Sequence, residues 1–177
     1  MADYLLDTNT ISYWYNPNCP QHANVLARVS AARQPDRQTG YVSRFFVSVI
    51  TLGEIEYGHR VTPNPNAAAQ AAYAKFVNQQ CPVPLDITKN VAQDYGAMKA
   101  WLFSNCGPKQ KKSNAKRAEE LVNPSTGKEL GIDENDIWIA AQAAAYNLVL
   151  VTNDSRGNFG KIIAQFARTL TVENWAK

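Results

Sequence analysis

The sequence predicts an α/β sandwich, with helices on both faces of a mainly parallel sheet. Short apolar, β-branched stretches alternate along the chain with longer stretches of helical periodicity, the pattern typical of parallel sheets. At 177 residues the chain is long enough for one substantial core and too short to require a second domain. Hydrophobic residues make up 45% of the chain, which is typical of a globular protein and excludes a disordered one.

Five short apolar stretches predict the strands. They are rich in Val, Ile, Leu, Phe and Tyr, and polar or turn-forming residues bound them. The C-terminal one has the character of an edge strand. In chain order the stretches are YLL at 4–6, RFFVSVI at 44–50, VPLDI at 83–87, NLVLVT at 147–152 and LTVENW at 170–175.

The stretches between these strands carry apolar residues at helical spacing, as at Val91, Tyr95, Met98 and Leu102. Proline interrupts them in PNPN and at Pro82. In chain order the predicted helices are ISYWY at 11–15, HANVLARVSAA at 22–32, TLGEIEYGHR at 51–60, AAAQAAYAKFVNQ at 67–79, TKNVAQDYGAMKAWLF at 88–103, DENDIWIAAQAAAY at 133–146 and FGKIIAQF at 159–166.

Residues 104–132 differ from the rest in composition, because Gly, Pro, Ser, Asn and Lys dominate around one short possible helix at AKRAEELV. We interpret them as a long excursion between core elements, a candidate flap. Residues 109–117 hold five basic side chains and no acid, and since the net charge is +3, the remainder carries −2. This pattern is compatible with a bound polyanion such as RNA and with a solvated loop. The five basic residues are Lys109, Lys111, Lys112, Lys116 and Arg117.

The cysteines and the N-terminus bear on the cellular compartment. Cys19, Cys81 and Cys106 are scattered and form no C-x-x-C pair, so we expect neither a disulfide framework nor a zinc site. No apolar run approaches the ~20 residues of a membrane span, and the N-terminus lacks the features of a signal peptide. We therefore expect a protein of the reducing cytoplasm with no membrane contact.

Carboxylates stand where ligands bind in such sheets, beyond the carboxyl ends of the strands. Asp7 directly follows the first strand, and Asp154 comes two residues after NLVLVT. Glu54 lies four residues after RFFVSVI, in the first turn of the next predicted helix. Asp136 lies in the first turn of the helix before NLVLVT, so it joins the others only if that helix begins at the same edge.

Each acid also has a purely structural interpretation. Thr51 and Glu54 have the spacing of a capping box. Asp133 suits a helix N-cap and Asp136 the third helical position, and the two acids that follow strands suit a cap and a turn. Neutral residues would cap equally well, however, so carboxylates beyond three strands favour a site.

Carboxylates gathered at one edge repel one another, and either protonation or a bound cation must relieve that repulsion. Mg²⁺ prefers oxygen ligands and usually takes only one or two protein carboxylates, with water and phosphate oxygens in its other positions. Such a site suits metal-assisted hydrolysis of a phosphodiester, in which a remaining carboxylate accepts the proton of the attacking water.

Four blocks, YLLDTNTIS, VSVITLGEIEYG, NDIWIAAQAAAYNLVLVTND and VENW, occur in a characteristic order and spacing. In this the chain resembles the PIN-domain ribonucleases, and most closely the VapC-type toxins of bacterial toxin–antitoxin pairs. The resemblance covers the core at residues 3–15, 44–60, 83–103 and 133–175. It implies a single PIN domain over 1–177, with a Rossmann-like three-layer fold, into which the basic excursion at 104–132 is inserted. It further implies Mg²⁺- or Mn²⁺-dependent endonucleolytic cleavage of RNA and a homodimer inhibited by a cognate antitoxin.

The resemblance also implies which residues form the site. Asp136 is the matching acid rather than Asp133, because it directly precedes IWIAA. Thr8 and Thr152 match hydroxyl positions near such sites, and Asn9 and Asn153 are candidates to support the ligands. The implied catalytic and metal-binding acids are Asp7, Glu54, Asp136 and Asp154.

Other chemistries fit the sequence less well. A metal-free ribonuclease would need a pair of histidines, and His22 and His59 lie in unsuitable contexts. The chain has no G-x-S-x-G and no phosphate-binding glycine loop. Tyr13, Trp14 and Tyr15 could stack on unpaired bases, although packing is the preferred interpretation. Two alternatives stay open: a PIN nuclease of RNA processing outside toxin–antitoxin systems, and a catalytically silent PIN module that binds RNA or protein.

Overall fold

The structure, a computed structural model, describes residues 2–108, 117–153, 159–166 and 170–177. Its centre is a four-stranded sheet of order β2-β1-β3-β4 in which every pairing is parallel. The predicted parallel sheet is confirmed, and LTVENW does supply an edge strand. The strands are β1 Tyr4–Leu6, β2 Phe45–Val47, β3 Val149–Val151 and β4 Val172–Glu173.

Helices connect the strands, as parallel pairing requires. Several begin at a side-chain cap that the sequence supplies, as at Asn66 and Thr88, whose side chains accept hydrogen bonds from the next turn. A short 3₁₀ turn, Ala118–Glu120, lies in the excursion. The helices are α1 Thr8–Tyr15, α2 His22–Ala32, α3 Val49–Val61, α4 Ala67–Gln80, α5 Lys89–Cys106, α6 Glu134–Ala145 and α7 Phe159–Phe166.

The sheet separates two apolar cores because successive side chains of a strand point to opposite faces. Leu5 and Leu150 pack on one face with residues of α5, α6 and α7. Leu6 and Val151 pack on the other with residues of α1, α2 and α4 and with Trp175. Each fully buried leucine contributes about 2 kcal/mol of transfer free energy. This arrangement is the predicted three-layer sandwich.

The start of α3 corrects two predictions. RFFVSVI is strand only over Phe45–Val47, because the Ser48 side chain accepts a hydrogen bond from the Ile50 N–H at 2.9 Å and starts the helix there. A short β-branched run does not distinguish a buried strand from the first turn of a helix. The capping box at Thr51 and Glu54 is also wrong, since Thr51 is buried inside α3.

VPLDI is not a strand of the sheet. It makes one isolated parallel bridge, between Leu85 and Ser48, beside the end of β2. Pro82 and Pro84 both precede this point and lack the N–H groups that a continuous ladder needs.

The predicted excursion at 104–132 is partly packed against the core in the part that the structure describes. Helix α5 continues to Cys106, which is buried. Ala118, Leu121, Leu130 and Ile132 are buried in the same core as α5 and α6. These apolar side chains are scattered among polar ones without helical or strand periodicity, so the composition alone predicted a loop. Four of the five basic residues, at 109, 111, 112 and 116, lie outside the described residues.

All three cysteines are free, as predicted. Among the helices of the described ranges, none has the length and apolar character needed to cross a membrane.

Candidate active site

The parallel register brings the residues that follow β1, β2 and β3 to one edge of the sheet. Leu6 pairs with both Val47 and Val151, so Asp7, Ser48 and Thr152 lie side by side. The Asp7 N–H donates to the Val151 carbonyl at 3.0 Å, which extends the ladder to the acid itself.

Asp7 caps helix α1 and is buried. Its Oδ1 accepts a hydrogen bond from the Thr10 N–H at 2.6 Å, and its Oδ2 accepts one from the Asn153 N–H at 3.3 Å. The Thr152 side chain also hydrogen-bonds to it. Burial raises the pKa of Asp7, and these hydrogen bonds oppose the rise. The cap that the sequence suggested and the position at the strand edge therefore belong to the same side chain.

Glu54 lies in the second turn of α3, not the first, because the helix begins five residues earlier, at Val49. Two side chains hold its carboxylate. The Thr8 hydroxyl donates to Oε2, and the Asn135 amide donates to Oε1 at 2.8 Å. These bonds join the first turn of α1, the second turn of α3 and the first turn of α6.

Asp136 lies in the first turn of α6, as predicted, in a capping box with Asp133. Its Oδ2 accepts a hydrogen bond from the Asp133 N–H at 2.8 Å, while Asp133 Oδ1 accepts from the Asp136 N–H at 3.2 Å. Burial, the largest cause, and the negative charges of Asp133, Asp7 and Glu54 together raise the pKa of Asp136 from 3.8 to about 7, while the hydrogen bond from the Asp133 N–H opposes the rise. Asp136 therefore lies within electrostatic range of the other predicted acids.

These acids line one open cavity of 630 Å³. Thr8, Asn9, Thr152 and Asn153, which were predicted to support the site, line it as well. Asp154 lies outside the described residues, so the fourth predicted acid stays a prediction. Arg117 is exposed and is not part of this lining. The described lining contains the carboxylates of Asp7, Glu54, Asp133 and Asp136 and no basic side chain.

The donor set of the cavity suits a hard divalent cation, because its charged groups are all carboxylates with no basic partner among the described lining residues. The described residues nevertheless include no group of three carboxylate, histidine or cysteine side chains arranged to hold a metal ion. Glu54 directs both of its oxygens to protein donors. One or two carboxylates suffice for Mg²⁺, which keeps several water ligands.

A second network supports this edge from the C-terminal segment. The Asn153 amide donates to the Tyr13 hydroxyl at 3.1 Å, and the Asn174 amide donates to Asn153 Oδ1 at 3.2 Å. Asn174 belongs to VENW and follows β4, next to β3. The terminal motif thus holds the residue whose N–H binds Asp7.

Asn135 and Tyr57 are among the residues of the cavity that sequence reasoning missed. Asn135 was visible only as the neighbour of Asp136, and Tyr57 only as one turn beyond Glu54 on the same helix face. The aromatic run after Asp7 divides as follows: Trp14 is buried and Tyr15 stacks on Tyr73, whereas Tyr13 lines the cavity.

The histidines do not take part in this cavity. His22 opens α2, where its Nδ1 lies 3.0 Å from the Tyr13 carbonyl oxygen. His59 lies in the last turn of α3 with its ring edge-on to Tyr73. The described acidic cavity therefore lacks the histidine pair of a metal-free ribonuclease.

No protein-family model matches the chain. The sequence is 30% identical over 133 residues to Ribonuclease VapC4 of Mycobacterium tuberculosis, a match that covers 75% of this chain and 82% of that protein. The chain belongs to the VapC ribonuclease family. The resemblance that the four sequence blocks indicated is therefore confirmed.

Solved structures with VapC chains show the same fold. The chain resembles DNA-bound VapBC of Salmonella typhimurium (TM-score 0.63, 20% identity, 99% of both chains) and VapBC-1 of nontypeable Haemophilus influenzae (TM-score 0.60, 22% identity, 98% of both chains). It also resembles VapBC2 of Rickettsia felis, solved with a DNA fragment from its promoter (TM-score 0.58, 20% identity, 97% of this chain and 98% of that one). At these identities the likeness concerns the fold, and it confirms the predicted PIN-like sandwich of the VapC family.

Proposed function

We propose that the chain is a Mg²⁺- or Mn²⁺-dependent endoribonuclease and the toxin of a toxin–antitoxin pair. The observation that carries this proposal is the acidic cavity at the carboxyl edge of the sheet, in a chain of the VapC ribonuclease family. A pocket with several carboxylates and no described basic side chain repels a phosphodiester, so RNA enters it only with a cation. The requirement for a metal follows from that repulsion.

Asp7 and Asp136 are the proposed principal metal ligands, with Glu54 and Asp154 completing the acidic site. Each carboxylate offers about four lone-pair directions, so Asp7 can accept its protein hydrogen bonds and still face a cation. When bound, the metal supplies positive charge that neutralises the carboxylates, acidifies its bound water and stabilises the leaving oxygen. Thr8 and Asn135 orient Glu54 during the reaction, and Thr152 and Asn153 orient Asp7.

The proposed reaction adds one water molecule across a phosphodiester bond. The water oxygen forms a bond to phosphorus, and the ester bond to the leaving oxygen breaks. A carboxylate of the site accepts the proton of the attacking water, and the leaving oxygen takes up a proton from solvent.

The proposed partners are those that the family implies: an RNA substrate, a cognate antitoxin protein and a second copy of the chain, all in the cytoplasm. The similar solved structures are VapBC toxin–antitoxin complexes, and this supports an antitoxin partner. Basic residues Lys109, Lys111, Lys112, Lys116 and Arg117 remain proposed RNA contacts. Removing such contacts would flatten the salt dependence of RNA binding.

RNA cleavage with Mg²⁺, with Mn²⁺ and with EDTA tests the proposal. Asp7→Asn and Asp136→Asn should each lower the cleavage rate by at least about 10²-fold while circular dichroism shows an intact fold. Asp133→Asn is the matched control, because Asn caps a helix as well as Asp does. Full activity in either site variant, or in EDTA, would remove the metal-site proposal.

Two further outcomes separate the alternatives. RNA binding without cleavage at any metal concentration would favour the silent PIN module. Cleavage with no growth defect on expression, and no relief by a co-expressed small partner from the neighbouring gene, would favour RNA processing.

A further inference from the structure

Tyr57 is the most exposed of the large apolar side chains in the described ranges, at 68% exposure. It lines the acidic cavity from helix α3. Within the described residues no other ring stacks on it, and its hydroxyl has no hydrogen-bond partner. An aromatic ring left in water at the wall of a proposed active site is a surface available to a ligand.

The helix geometry directs this ring toward the acids. Side chains of a helix lean toward its N-terminus, so Tyr57 covers the turn that holds Gly53 and Glu54. Gly53 has no side chain, and a Cβ built there would meet nothing within 4 Å. Gly53 therefore leaves open space next to Glu54, one helical turn before Tyr57.

Tyr13 supplies a second ring to the same cavity, but in a fixed position. Its hydroxyl accepts a hydrogen bond from the Asn153 amide, and the side chain is half-buried. Tyr57 has no such restraint among the described residues. Of the two tyrosines, Tyr57 is the one with a free face.

The charge of the cavity determines which part of a nucleotide can use that face. Asp7, Glu54, Asp133 and Asp136 repel phosphate, and the described lining offers no basic side chain to hold it. A nucleobase is neutral, and stacking on an aromatic ring binds it without readout of its identity. Bases in an RNA duplex are already stacked and paired, so only an unpaired base can reach such a ring.

We propose that Tyr57 is a stacking subsite for one unpaired nucleobase beside the scissile phosphate. This inference rests on the proposed ribonuclease function. Tyr57 holds the base, which positions the adjacent phosphodiester over Asp7 and Asp136. The subsite contributes affinity that is insensitive to salt, in contrast to contacts between basic residues and phosphates.

The test measures binding of a fluorescent single-stranded RNA of about ten nucleotides, a length that spans several stacking positions. Asp7→Asn serves as the background so that the RNA stays intact. Adding Tyr57→Ala should weaken binding about tenfold, the effect of losing one base–aromatic stack, while Tyr57→Phe retains it. Tyr146→Ala is the matched control, since Tyr146 is also exposed (40%) and lines a different cavity, with Asp3 and Arg44.

A series of RNAs with one abasic nucleotide at successive positions identifies the stacked base. At one position the abasic change and Tyr57→Ala should each weaken binding, and together they should weaken it no more than either alone. Additive losses at every position would overturn the proposal. The proposal would also be overturned if adding Tyr57→Ala changed the RNA affinity of the Asp7→Asn background by less than twofold, or if it weakened the binding of duplex RNA equally. The absence of measurable RNA binding would overturn it too.

Cleavage by the unmodified chain, measured in parallel, separates this inference from the proposed function. Base-dependent binding without cleavage would support the stacking subsite and contradict the proposed ribonuclease function. Cleavage with no effect of Tyr57→Ala would remove the subsite and leave the ribonuclease, and it would point to a role for Tyr57 in binding a protein partner.

Discussion

Replacing Asp136 by asparagine should stabilise the folded chain at alkaline pH while removing its activity. The reason is the raised pKa of this carboxyl group, about 7 in the folded chain against 3.8 in the unfolded one. The folded state therefore keeps the proton over a pH range in which the unfolded state has released it. Stability from this group is fully present below pH 3.8 and is lost as the pH rises through about 7.

The size of the effect follows from the width of that range. A shift of roughly three pKa units at ~1.36 kcal/mol per unit corresponds to about 4 kcal/mol of destabilisation above pH 7. Asparagine carries no charge to bury, and its amide oxygen can still accept the hydrogen bond from the Asp133 N–H. We therefore expect Asp136→Asn to raise the free energy of unfolding by about 2–4 kcal/mol at pH 8 and by little at pH 4.

Urea unfolding followed by tryptophan fluorescence, in EDTA at pH 4 and pH 8, measures this difference. With a slope of about 2 kcal/mol per molar, the expected gain moves the pH 8 midpoint upward by about 1–2 M urea. Asp133→Asn keeps the helix cap and removes only one of the charges that raise the pKa of Asp136, so it should move the pH 8 midpoint upward by much less than Asp136→Asn does. An Asp136→Asn midpoint at or below that of the unmodified chain at pH 8, or an equal gain at both pH values, would refute the electrostatic reasoning.

Three further predictions concern the metal, a glycine and the C-terminal motif. At pH 8, Mg²⁺ or Mn²⁺ at about 100 times its dissociation constant should stabilise the unmodified chain by about 2.7 kcal/mol. Thermal unfolding of Asp7→Asn should show no stabilisation by the metal. Equal stabilisation of the variant and the unmodified chain would mean that the metal binds elsewhere. Gly58→Ala should raise the free energy of unfolding by about 0.5–1 kcal/mol in the same experiment, because Gly58 lies inside α3 and a Cβ added there meets nothing within 4 Å. A lower free energy of unfolding would contradict this prediction. Asn174→Ala should lower the rate of RNA cleavage while changing the free energy of unfolding little, because it removes the hydrogen bond that holds Asn153, whose N–H binds Asp7. An unchanged cleavage rate would show that the VENW motif serves only as the edge of the sheet.

The sequence predicted the elements whose patterns are local. The apolar runs of β1 and β3 and the helical stretches of α2 and α7 appear where periodicity placed them. The position of Asp7 at the candidate site was predictable for the same reason, because in a parallel sheet the residue after a strand has only one edge to occupy. Placing Asp136 at this edge also required knowing that α6 begins there. The family resemblance indicated this, whereas the sequence pattern alone did not.

What the sequence could not predict depends on contacts between distant elements. The hydrogen bond from Asn135 to Glu54 joins residues 81 positions apart, and the bond from Thr8 to Glu54 joins residues 46 apart. Nothing in the local pattern distinguishes Asn135 from an ordinary polar residue in the first turn of a helix. The failed strand prediction at 83–87 is different, because Pro84 within it and Pro82 before it were a local signal against a strand, and the apolar composition was given more weight.

The structural and functional interpretations of the acids turn out not to exclude each other. Asp7 caps α1 and Asp136 completes the capping box of α6, and both line the cavity.

Serine or asparagine would satisfy the same helix N–H groups, but each presents only one side-chain oxygen as an acceptor. A carboxylate presents two. In Asp7, Oδ1 accepts the hydrogen bond from the Thr10 N–H and Oδ2 the longer, 3.3 Å bond from the Asn153 N–H, and the four lone-pair directions of the carboxylate leave acceptor capacity toward the cavity. Helix N-termini also favour negative charge, so the caps hold the acids at the sheet edge against their mutual repulsion. Capping thus accounts for where the acids lie, and their second oxygen accounts for why the chain has carboxylates there.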